Sequence, residues 1–154
     1  MKNIGATLAL ISILSIPGYA NSASEFGDDL GEYQMAVMSI LRLHLKAIET
    51  LAANQKHPYS ENMLRHASAL KSSAQLLDHV YPDPPGNRIA KSGVDAPWND
   101  PKSFDAQVEQ SLKATKELVK ASEQWMKGNR EPLAGAIKSV RNSCDSCHKI
   151  FRAH

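Results

Sequence analysis

The five residues Cys144-Asp145-Ser146-Cys147-His148, close to the end of a chain of 154 residues, constrain its fold more than any other feature. C-x-x-C-H is the attachment pattern of a c-type haem, in which two thiols add to the vinyl groups and the adjacent imidazole becomes an axial ligand of iron. A chain ending in this way must build a pocket for a flat, largely apolar macrocycle around its last residues. Other uses of paired cysteines find no support. A redox dithiol of thioredoxin type wants a βαβ surround, and zinc wants a second ligand pair. The chain has 2 cysteines and both lie in the motif, so a disulfide framework is excluded beyond one small loop. One covalently attached haem c, with its iron, is the expectation.

Covalent haem attachment to an exported chain demands a leader. Lys2 supplies a positive start, Ile4 to Ile16 an apolar stretch, and Gly18-Tyr19-Ala20 the small residues at a cleavage site. A signal peptide over residues 1–20 and a periplasmic location follow, with Ala23 as the second candidate for cleavage. The apolar run is shorter than the ~20 residues of a bilayer span, and no other stretch is long enough, so no membrane span is expected after cleavage. The full chain has 18 Lys+Arg and 16 Asp+Glu; without Lys2 the balance is 17 − 16 = +1. A near-neutral surface without a basic cluster argues against nucleic acid as a partner. Residues 21–154 are of a length for one domain.

Helical periodicity organises that domain. Leu30, Val37, Met38, Leu41, Leu45, Ile48 and Leu51 recur at steps of three, four and seven within Asp28 to Asn54, which places them on one helical face. A second helix is expected over about Ser60 to Tyr81, capped by Ser60, with Met63, Ala67, Leu70, Ala74, Leu77 and Val80 inward. Pro82-Asp83-Pro84-Pro85-Gly86 stops it and opens a long loop, so that five of the 8 prolines fall between residues 82 and 101. A third helix begins near Ser103, carries Phe104, Val108, Leu112, Leu118, Val119 and Trp125, and ends before Gly128. The fourth begins near Pro132 and runs through Leu133, Ile137, Val140, Cys144, Cys147 and Phe151. Four amphipathic helices bury their faces most economically as an antiparallel bundle, all-α, with a long loop between helices 2 and 3 and the haem in its core.

This layout resembles the class II c-type cytochromes, the family of cytochrome c' and its low-spin cytochrome c-556 relatives. The resemblance rests on the C-terminal motif continued by Lys149-Ile150-Phe151-Arg152, on the Tyr33 to Ile48 helix, and on Pro97-Trp98, similar to the element that closes the family's long loop. It implies that His148 is the proximal iron ligand and that a first-helix residue faces the other side of the haem, Met38 in this chain. In low-spin members a methionine there ligates iron; in cytochrome c' an apolar side chain covers an open iron. The resemblance also implies Arg152 beside the proximal pocket, and it allows a homodimer through helices 1 and 2.

The residues themselves leave the sixth position open. Met38 lies on the apolar stripe, and a thioether is a soft, neutral ligand suited to raising a haem potential. A methionine on such a stripe also serves as ordinary core filler, and Met35 competes for the same role. Gln34 stands where the family commonly has an arginine, which favours the ligated form. The expectation is therefore a single-electron carrier with His148/Met38 ligation, working between periplasmic redox proteins. The alternative is a five-coordinate haem that binds nitric oxide or carbon monoxide. An enzyme is not expected, because the first helix offers no acid–base pair for cleaving an O–O bond. Phe151 and Trp98 are expected at the haem pocket, whereas Trp125 is equally suited to the core. His44 is too far along the helix to share the iron, and His57, His66, His79 and His154 are expected to be solvated or structural.

Overall fold

With no proline between Pro17 and Pro58, the first apolar stripe runs on as one long helix, α1, over Ser22–Ala53, starting at Ser22 rather than Asp28. The computed structural model describes residues 22–54, 56–81 and 96–151, with the side chains of 22–30, 96 and 98 left aside. The leader and the long loop at 82–95 lie outside those residues. After α1 come a 3-10 turn at Ser60–Asn62, then α2 (Met63–Ala74), a one-turn α3 (Ala96–Asn99), α4 (Pro101–Met126) and α5 (Glu131–Phe151). No strand occurs among the described residues.

The second helix departs most from expectation. Ser60 lies in the 3-10 turn, and regular α-helix ends at Ala74. The chain continues to Val80 through tighter bonds, such as those from Leu77 N to the Ala74 oxygen at 3.2 Å and from His79 N to the Leu76 oxygen at 3.0 Å. Gln34 on α1 secures this end, its Nε2 donating to the Val80 carbonyl at 2.8 Å from a buried position. At α4 the cap is Asp100, whose carboxylate accepts from Ser103 N at 3.1 Å, with Pro101 at the first helical position. Ser103 thus donates its backbone N–H instead of capping with its hydroxyl. Gly128, with φ +93°, takes the left-handed conformation that ends α4 and turns the chain into α5.

α4 packs most extensively on α5, α2 on α4, and α1 on α2, while α1 touches α5 only sparsely. The short turn between α4 and α5 makes those two antiparallel neighbours. Two clusters form the interior. The larger joins Ile48 and Leu51 of α1, Met63 and Leu70 of α2, Leu118 and Trp125 of α4, and Leu133 and Val140 of α5. Trp125 therefore belongs to the bundle core. The smaller gathers Phe104, Val108 and Phe151 at the start of α4 and the end of α5. No helix among the described residues is long and apolar enough to cross a membrane.

Candidate functional site

The spacing of Cys144 and Cys147 along α5 puts both thiols on one face, and they bridge the two clusters. Cys144 packs against the larger core, and Cys147 against the smaller, beside Leu77, Tyr81 and Leu112. Both are half-buried free thiols, and His148, next along the helix, is exposed. The wall facing Cys147 is aromatic: Tyr81 meets Phe104 edge-on at 5.1 Å between centroids, and Phe104 meets Phe151 at 5.4 Å and 88°. Phe151 is only 5% exposed.

Burial pushes both thiols above the ordinary cysteine range, helped at Cys147 by its neighbour Cys144. A catalytic dithiol needs the opposite shift, so the redox reading loses further ground. Among the described residues no group of three or more His, Cys, Asp or Glu is placed to hold a metal ion. The donor set fits a c-type haem: two thiols on one face, an imidazole at the adjacent position, and an aromatic and aliphatic wall. Gln107, on the same helix as Phe104, has a buried Oε1 with no hydrogen-bond partner among the described residues. A buried unpaired polar atom of this kind calls for a partner beyond the described residues.

The other expected residues are more scattered. Arg152 lies outside the described residues, and Trp98 is described by its backbone alone, on α3 beside the buried Pro97. Met35 is 56% exposed and turned away from the interior. Met38 is half-buried at the edge of the α1 stripe and joins neither buried cluster. Tyr81 and Leu77 were not singled out as pocket residues by the sequence. The available signal was positional, since in an antiparallel bundle the end of the second helix, the start of the third and the end of the fourth share one end.

Comparison with known proteins defines first a class and then a family. Solved four-helix haem proteins superimpose on most of the chain. A ferrous variant of cytochrome c prime from Alcaligenes xylosoxidans with bound NO matches with TM-score 0.71 and 18% identity, covering 83% of this chain and 96% of that one. A carbon monoxide-bound variant of the same protein matches at 0.71 and 19%, covering 83% and 97%. Cytochrome c' from Rubrivivax gelatinosus matches at 0.68 and 18%, covering 82% and 97%. In sequence, cytochrome c' from Rhodospirillum rubrum is 26% identical over 151 residues, 97% of this chain and 96% of the relative. The sequence profile of the Cytochrome C' family matches residues 29–152, and the chain belongs to that family. Its cofactor is haem c, covalently attached, with iron.

Family membership corrects the functional expectation. The electron carrier with His148/Met38 ligation gives way, because the match is to cytochrome c', in which an apolar side chain covers an open iron. The argument drawn from Gln34 falls with it: this amide is engaged by the Val80 carbonyl and holds α1 to the end of α2.

Proposed function

We propose that the protein is a five-coordinate cytochrome c' that binds nitric oxide or carbon monoxide in the periplasm. The observation that carries this reading is the family match over residues 29–152, with the C-x-x-C-H motif in its last helix. Haem iron held by one protein ligand offers an open axial position to a diatomic gas. Cys144 and Cys147 hold the macrocycle by thioether bonds, and His148 supplies the imidazole. Leu77, Tyr81, Phe104 and Phe151 give a dry wall. The inward residues of α1 from Val37 to Leu41 are apolar, so no side chain there relays protons to a bound gas, and the protein works as a binder rather than an enzyme. The leader at 1–20 directs export. The partners this reading needs are the gas and a periplasmic protein that reduces the iron.

The optical spectrum of the reduced holoprotein tests it. Broad five-coordinate bands that shift sharply on adding carbon monoxide are expected. Narrow six-coordinate bands indifferent to carbon monoxide would overturn it. Attachment is checked separately: haem colour should survive denaturing electrophoresis and be lost in the Cys144→Ala, Cys147→Ala double variant.

A further inference from the structure

Away from the haem end, α1 and α2 bring two imidazoles together from positions 22 residues apart in the chain. His44 Nδ1 and His66 Nδ1 are 3.1 Å apart, the ring centroids are 5.3 Å apart and the planes are tilted by 51°. Both rings are half-buried, and both stand on regular helix, His44 in α1 and His66 in α2, so the backbone holds them in place. His66 also lines an open pocket of about 560 Å³ with Lys46, Thr50, His57 and Tyr59, which leaves room for water beside the pair.

We propose that His44 and His66 form a binding site for a divalent first-row cation of the copper or zinc type, separate from the haem. Two imidazole nitrogens at about 2.0–2.1 Å from one ion lie about 2.9 Å apart at a right angle and about 3.3 Å apart at the tetrahedral angle, and the observed separation falls between these limits. Imidazole suits these metals, and copper binds most tightly in the series. Whichever Nδ1 donates in the present contact gives up its proton to solvent or carries it on Nε2 instead, and a small rotation of the rings turns both lone pairs to one point. Water fills the remaining positions, since among the described residues no third His, Cys, Asp or Glu joins the pair. Lys46 in the same pocket keeps the affinity moderate.

Haem-loaded protein stripped of divalent metal with a chelator is titrated with Cu²⁺ and followed by electron paramagnetic resonance. One equivalent per chain is expected, with nitrogen ligation in the copper signal and a higher melting temperature, because the ion ties α1 to α2. His44→Gln and His66→Gln each weaken uptake roughly tenfold or more, because a single remaining imidazole loses the advantage of a second ligand held at high effective concentration. His79→Gln, at an exposed ring beside Asp78, leaves uptake unchanged. Helical circular dichroism and the haem spectrum verify that each variant is folded, and either single variant suffices. No uptake at micromolar copper, uptake that survives both substitutions, or an equal loss in His79→Gln would overturn the proposal.

Discussion

Among the described residues, the buried serines, Thr115 and Gln34 are each tied to a backbone carbonyl, whereas Gln107 Oε1 is not satisfied. Ser122, fully buried, donates to the Leu118 carbonyl at 2.8 Å, and Ser143 to the Val140 carbonyl at 2.8 Å, so their hydroxyls cost little inside helices. Gln34 is the one that reaches across elements. Gln34→Leu removes the donor to Val80 and leaves a buried carbonyl short of a partner, which should lower stability by about 1–3 kcal/mol in urea unfolding of the holoprotein. Tyr81 carries a pH signature. Burial raises its pKa above the ordinary 10.0, so the folded state keeps a proton that the unfolded state releases. Its contribution is fully present below pH 10 and is lost as pH rises beyond that. The unfolding midpoint should fall above pH 10, and less steeply in Tyr81→Phe.

Helix ends decide the elements. Asp100 and Pro101 start α4 and Gly128 stops it, a division of labour that follows from acceptor chemistry at one end and a left-handed residue at the other. Asp100→Ala loses the bond from Ser103 N and should cost about 1 kcal/mol, read as a shift of the urea midpoint at constant slope. The pair between Arg141 of α5 and Glu49 of α1 spans a sparse helix contact, with Nε donating to the Glu49 carboxylate at 3.1 Å. Its side chains are 55% and 29% exposed, and a solvated pair contributes at most about 1 kcal/mol. The closure of the bundle therefore rests on the larger core and not on this bridge.

At the scale of the whole molecule, the two clusters divide the work. Leu118 is fully buried in the larger one, among residues from all four long helices. Leu118→Ala should cost about 2–5 kcal/mol, read in urea unfolding of the holoprotein, because it opens a cavity among all four long helices. Outside, Tyr33 (43%), Ile40 (43%) and Leu43 (54%) expose an apolar stripe along α1. We propose that a second copy of the chain covers it. Sedimentation of the holoprotein should report a dimer, and Leu43→Glu should shift it to monomer without changing the haem spectrum.

Much of this was legible in the residues alone, because the signals are local. C-x-x-C-H names its cofactor by chemistry, a periodicity of three and four names a helix, and Gly128 or Pro132 marks an end whatever the rest of the chain does. The family, and with it the four-helix bundle, followed from the motif and its position. The role of Met38 was not legible, since a thioether on an apolar stripe reads the same whether it binds iron or fills space. Nor were the end of α2 at Ala74, where Gln34 and the Val80 carbonyl bind the chain from 46 residues apart, or the aromatic wall of Tyr81, Phe104 and Phe151. Those are contacts between segments distant in sequence. Periodicity says which face of a helix turns inward, and only the packing of one helix on another decides what that face meets.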